Sequence, residues 1–164
     1  MPIRLLDRCQ PDCIREFRAA ARMRYIDGLS LAGEGRRTAA IYLWGYAAEM
    51  TLKAAYFARL GIGETDPLTW RDHLVPAINV GRAMQIYWPV PGQGHNVRAW
   101  AELLVATNAA SYAPAFALEV QRQGQRIGQL WRETLRYHKN VAYLFEVQKV
   151  REATEWFLVH SEAI

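Results

Sequence analysis

An all-α bundle of five or six helices is what this sequence predicts, and three observations carry that reading. Apolar residues recur at spacings of three and four along most of the chain, the period of a helix with one buried face. Glycine, proline and asparagine interrupt those runs where helix ends would fall. No alternating apolar and polar run longer than four residues offers a strand.

The first helix is expected from about Pro11 to Leu31, where Ile14, Phe17, Ala21, Tyr25 and Leu29 form one stripe and Gly33 and Gly35 end it. From Arg36 to Leu60 the stripe Leu43, Ala47, Met50, Ala54, Phe57 predicts a second, with Gly61 and Gly63 as its stop. Asp66-Pro67 reads as loop, and Thr69 or Asp72 is placed to cap a third helix ending near Tyr87, with Pro76 in its first turn. The cluster from Trp88 to Gly94 is the clearest break in the chain, and its Gly92-Gln-Gly94 reads as a turn. Asn96 then suits the cap of a fourth helix through Trp100, Leu103, Leu104 and Thr107. Pro114 fits the first position of a fifth, whose stripe runs Ala117, Val120, Gly124, Ile127, Trp131, Leu135. Within it Gly124 and Gly128 either weaken the helix or permit a close crossing. A sixth starts near Asn140, buries Leu144, Val147, Val150 and Phe157, and runs to about Val159.

At 164 residues and 51% hydrophobic content, one domain spanning 1–164 can build its own core. Cys9 and Cys13 are too close along a helix for an unstrained bridge and too few for a disulfide framework or a four-ligand zinc site, so no metal and no cofactor is expected. The first ten residues lack the apolar run of a signal peptide. The longest uncharged stretch, Leu103 to Leu118, carries Thr107, Asn108, Ser111 and Pro114 and is shorter than the ~20 apolar residues of a membrane span. A cytoplasmic protein with no membrane contact is the resulting expectation. Net charge +4 favours anionic partners, with lysine confined to Lys53, Lys139 and Lys149.

Three groups of residues remain. The run Gly45-Tyr46-Ala47-Ala48-Glu49-Met50-Thr51-Leu52-Lys53-Ala54 sits inside the second helix. Gly94-His95-Asn96-Val97 opens the fourth, with Asp72-His73-Leu74 as a rival for the same role. Trp131-Arg132-Glu133-Thr134-Leu135-Arg136-Tyr137 precedes the last helix, which carries Trp156-Phe157-Leu158. In this order and spacing, covering about residues 36 to 160, they resemble the HEPN family, the higher eukaryote and prokaryote nucleotide-binding domains.

That resemblance implies an up-and-down helical bundle that often dimerises. It also implies a module, non-catalytic on the leading reading, that binds a nucleotide, RNA or a protein partner such as a nucleotidyltransferase-type antitoxin, in a defence or toxin–antitoxin setting. Many members of the family cleave RNA without a metal through an Arg, four to six intervening residues, and then a His. The alternative is therefore an endoribonuclease in which Arg132 and His138, with five residues between them, act across a homodimer. His138 would deprotonate the ribose 2′-hydroxyl and Arg132 would hold the phosphate. A structural reading of the same residues has Arg136 reaching Glu49 across the bundle while Tyr137 packs in the core. Alternatively Glu49 and Lys53 form an i,i+4 surface pair worth ~0.3–0.5 kcal/mol. Glu49, Lys53, His95, Arg136 and Tyr137 are thus candidates for a binding site or for a structural polar core.

Overall fold

A computed structural model describes Cys9 and residues 11–88 and 94–164. The reading of the first ten residues as lacking a signal peptide, and the Gly92-Gln93 half of the expected turn, rest on residues outside that set. The described residues are all-helical, with six α-helices and no strand. These are α1 (Ile14–Gly33), α2 (Arg37–Arg59), α3 (Val75–Ala83), α4 (Val97–Thr107), α5 (Pro114–Gly128) and α6 (Leu144–Val159). A π turn, Trp70–Leu74, leads into α3, and a 3-10 turn, Glu133–Tyr137, lies between α5 and α6.

Local chemistry explains most of the boundaries. Gly35 and Gly61 stand at φ +75° and +79°, a conformation costly for other residues, and close α1 and α2. After Gly35 the Arg36 N–H returns to the Leu31 carbonyl at 2.8 Å. The Thr69 hydroxyl accepts from the Asp72 N–H, and the Asn96 side chain accepts from the Ala99 N–H, both as expected of caps. Pro76 stands in the first turn of α3 and Pro114 at the start of α5.

Four expected ends move. The extended backbone of Cys13 delays α1 to Ile14. Gln85, at φ +62°, stops α3 at Ala83, well before Tyr87. The fifth helix ends at Gly128, so Trp131 and Leu135 leave its stripe; the Trp131 indole instead donates to the Tyr42 carbonyl at 3.0 Å. The sixth begins at Leu144 because the residues before it are committed to α2. Asn140 Oδ1 accepts from the Thr38 N–H at 3.1 Å, standing in for the cap that Arg36 does not supply, and the Thr38 hydroxyl accepts from the N–H groups of Val141 and Ala142. The Glu146 carboxylate then accepts from the Tyr143 N–H at 2.8 Å at the start of α6, and Leu144, in its first turn, is 56% exposed where burial was expected.

The second helix is the hub and is buried on more than one stripe. Leu43 and Met50 of the expected stripe are only half-buried, while Trp44, Ala48, Glu49, Leu52 and Tyr56 are buried alongside Ala47, Ala54 and Phe57. Its neighbours supply Trp100, Leu103 and Leu104 from α4, Val120 and Ile127 from α5, and Val150 and Phe157 from α6. The pair α1–α2 runs antiparallel through a short connection. Also antiparallel are α4–α5, where Gly124 and Gly128 meet Ala101 and Arg98, and α5–α6, where Arg126 and Gln129 meet Glu152 and Lys149. The step from α2 to α4 spans the 60–96 connection and is parallel, with His95 beside Glu49 and Trp100 against Tyr56 and Phe57. Trp88 meets Trp100 edge to face at 5.4 Å and both are buried, so these two indoles close the core and are not free to stack a base. Among the described residues, no helix is long and apolar enough to cross a membrane.

Two close approaches fix helix positions. A Cβ at Gly124 would lie 2.5 Å from that of Ala101, so the glycine permits the α4–α5 crossing. A Cβ at Gly45 would lie 2.0 Å from the Trp131 ring, so the absence of a side chain there is what lets the indole rest on α2. Gly45→Ala is expected to lower stability by about 1–3 kcal/mol, read from the urea midpoint, because a buried indole must be displaced. Gly33→Ala, whose Cβ meets nothing within 4 Å, should leave stability unchanged or raise it by up to about 1 kcal/mol. Equal effects at both glycines would show that Trp131 does not rest on α2.

Candidate functional site

One face of α2 carries Tyr42, Tyr46, Glu49 and Lys53, at spacings of four, three and four that align them along the helix. Glu49 is 2% exposed, a depth at which a carboxylate needs full compensation. Lys53 Nζ donates to Oε1 at 2.6 Å, and His95 Nδ1 lies 3.0 Å from Oε1 and 3.2 Å from Oε2. Burial by itself pushes the Glu49 pKa up. The Lys53 charge, joined by the hydrogen bonds and charge of His95 and Lys53, outweighs it and holds the carboxyl below its ordinary value. An ionised Glu49 can only accept, so Nδ1 of His95 carries the proton directed at it. In the neutral ring this leaves Nε2 as an acceptor on a side chain 35% exposed.

Glu49 and Lys53 are therefore a pair, but a buried one, and the surface alternative does not hold. Arg136 is not the partner of Glu49: the carboxylate's hydrogen bonds come from Lys53 and His95, and the partners of Arg136 are the phenols of Tyr137 and Tyr42. The Arg136 guanidinium is fully exposed and stacks 4.7 Å from the centre of the Tyr137 ring. Hydrogen bonds to the phenols of Tyr137 and Tyr42 raise its pKa further. Tyr137 is 73% exposed, so it does not pack in the core. Both corrections share one cause, the end of α5 at Gly128, which puts residues 133–137 in a short 3-10 turn on the surface.

The two groups are nevertheless neighbours. Tyr46 meets Tyr42 at 5.0 Å, His95 at 5.6 Å and Trp131 at 5.3 Å between ring centres, all edge to face. Its hydroxyl pKa is raised, by burial first, then by the Tyr42 hydroxyl and the charge of Glu49. A continuous path of contacts thus runs from Lys53 through Glu49, His95, Tyr46 and Tyr42 to Arg136. Tyr42, Tyr46 and Trp131 were not among the expected site residues, yet the spacing of Tyr42 and Tyr46 ahead of Glu49 was the signal that could have found the first two.

Arg132 and His138 flank the 3-10 turn, and both are exposed. Neither side chain makes a hydrogen bond or ion pair with any described residue, and nor does that of Lys139. Glu133, beside Arg132, is half-buried. His73, the rival of His95, accepts from the Thr69 N–H at 3.0 Å and lies against Phe57, away from Glu49. No family model, curated protein or solved structure matches the chain.

Glu49→Gln strands the Lys53 ammonium in the core and is expected to cost about 3–5 kcal/mol in urea unfolding at pH 7. Adding Lys53→Met should recover part of that loss, giving a double variant that costs less than the two single changes together. Because the folded pKa of Glu49 is depressed, its contribution is present above the ordinary carboxylate value of 4.5 and is lost as pH falls through the lower folded value. The acid limb of the stability curve should therefore be shallower in Glu49→Gln than in the parent. Identical acid limbs would remove Glu49 from the core's ionised groups.

Proposed function

We propose that this chain is a HEPN-like helical module, non-catalytic in itself, that binds single-stranded RNA along the edge formed by residues 132–139. The observation that carries this reading is the exposed Arg136–Tyr137 stack, flanked by Arg132, His138 and Lys139 without carboxylate partners among the described residues. Cations that track phosphates beside an aromatic face that takes a base are what a single strand needs. The family resemblance has support of its own: residues far apart in sequence that carry it, Gly45, Tyr46, Glu49, Lys53, His95, Trp131 and Arg136, lie within one network of contacts. A defence setting and a nucleotidyltransferase-type partner come with that resemblance as part of the proposal.

A second reading is favoured by the exposure of Arg132 and His138 at the two ends of one turn. In it the chain is a metal-independent endoribonuclease, with two such turns meeting across a homodimer. His138 would take the 2′-hydroxyl proton, the alkoxide would attack the adjacent phosphorus, and the 5′-oxygen would leave as a cyclic phosphate forms, with Arg132 neutralising the developing charge.

Fluorescence anisotropy with a labelled single-stranded RNA decides the first reading. Tyr137→Leu should weaken binding by about 1–3 kcal/mol through lost stacking, and Arg132→Gln with Arg136→Gln should flatten the salt dependence. Binding unchanged by all three substitutions removes the edge from consideration. Incubation of the same RNA in EDTA separates the readings. Cleavage by the parent that vanishes in both His138→Ala and Arg132→Ala supports the enzyme, and equal background in all three excludes it.

A further inference from the structure

On the side of α2 that faces α1 and α6, well away from the Glu49 network, lies a groove of about 440 Å³. That volume falls within the ~300–1,000 Å³ of small-molecule sites. Its origin is the way α1 lies down on α2: Trp44 tucks beneath Gly28 and donates its indole N–H to the Tyr25 carbonyl at 3.1 Å, which leaves an open valley between α1 and α6. Trp44, fully buried and with its one polar atom already used, lies beneath the groove. The walls are Leu29 from α1 and Leu144 and Val147 from α6. Leu29 and Leu144 are 41% and 56% exposed, which leaves apolar surface facing water along the groove.

Two guanidinium groups, Arg37 and Arg151, also line it. Several arginines are answered by acid: Arg18, Arg24, Arg98, Arg122 and Arg126 each hold a carboxylate oxygen within 3.3 Å. Arg37 and Arg151 hold none among the described residues. The nearby Glu155 carboxylate is engaged by the Tyr25 hydroxyl, whose pKa is raised by burial and by that carboxylate. A groove that sets half-exposed leucines beside two guanidiniums without a carboxylate, and that has no exposed aromatic face, does not suit a nucleotide. It suits a ligand that is mostly hydrocarbon with one anionic end.

We propose that this groove binds an aliphatic monocarboxylate, its chain laid along Leu29, Leu144 and Val147 and its carboxylate held by Arg37 and Arg151. Guanidinium forks match carboxylate oxygens in pairs, and the hydrocarbon replaces water against the leucines. This site is independent of the RNA edge and does not rest on that reading.

Calorimetric titration of the full chain with sodium decanoate below its micelle concentration tests it, with octanoate for chain length and decyltrimethylammonium for charge. Saturable binding of one decanoate is expected, tighter than octanoate by up to roughly fourfold for each added CH₂ that becomes buried. The Arg37→Gln/Arg151→Gln variant should bind at least about tenfold more weakly, the scale of a lost charge-assisted pair. Gly33→Leu gives a second handle: Gly33 lines the groove, lacks a positive φ and has nothing within 4 Å of an added Cβ, so a side chain can enter the groove there without a clash at its Cβ. Binding should be lost in Gly33→Leu while its melting temperature and helical circular dichroism are kept. The proposal is overturned by no saturable decanoate binding, by equal binding of the cationic amphiphile, or by a folded Gly33→Leu that binds decanoate as the parent does.

Discussion

Glu49 lies in the middle of the most buried helix, where a charge without partners would be worth several kcal/mol of instability. Lys53 answers it from one turn further along the same helix, and that pairing asks nothing of the fold. His95 comes from the residue before the cap of α4, so its hydrogen bond is satisfied only if the start of α4 lies beside the centre of α2. The carboxylate therefore sets a register between two helices joined by a long connection. Hydrophobic contacts alone would tolerate a slip there, since Trp100, Leu103 and Leu104 can pack against α2 at more than one height.

From that register the rest of the site follows by packing. With His95 in place, Tyr46 is held between it and Trp131, and Trp131 can approach only because position 45 has no side chain. The indole ties the start of the 131–143 connection to α2, and Asn140 with Thr38 ties its other end to the first turn of the same helix. Between these anchors the chain is left no room to extend α5, and Arg132, Arg136, Tyr137, His138 and Lys139 are presented to solvent from a short, doubly held turn. A turn fixed at both ends presents side chains with little ordering cost on binding, which suits recognition.

The helices were legible in the sequence because their caps and stripes are local. Asn96, Pro114, Gly35 and Gly61 act within a few residues of themselves, and each stands where its local chemistry places it. The junction before α6 was not legible, because the groups that shape it are distant. Trp131 matches the period of α5, and nothing nearby reveals that its N–H is taken by a carbonyl 89 positions away. Asn140 resembles an ordinary cap for the helix that follows it, whereas it caps α2 from 102 positions away. The partner of Glu49 escaped for a related reason: several cations lie at helical spacing or across the bundle, and only the three-dimensional register selects Lys53 and His95 over Arg136.

The same distinction between local and global applies to charge. A net +4 spread along the chain gives little direction, yet the structure does not leave its cations equally available. Arginines on α1, α4 and α5 are largely answered by carboxylates three or four residues away or on the adjoining helix. Exposed pairs of that kind add at most about 1 kcal/mol each, but they cancel the local field. The segment 132–139 carries two arginines, a lysine and a histidine against one half-buried glutamate, and so does not cancel. Attraction of a polyanion to that edge is then local and salt-sensitive, while stacking on Tyr137 is neither long-ranged nor screened. The edge thus combines a salt-dependent means of gathering a strand with a salt-independent means of holding one base.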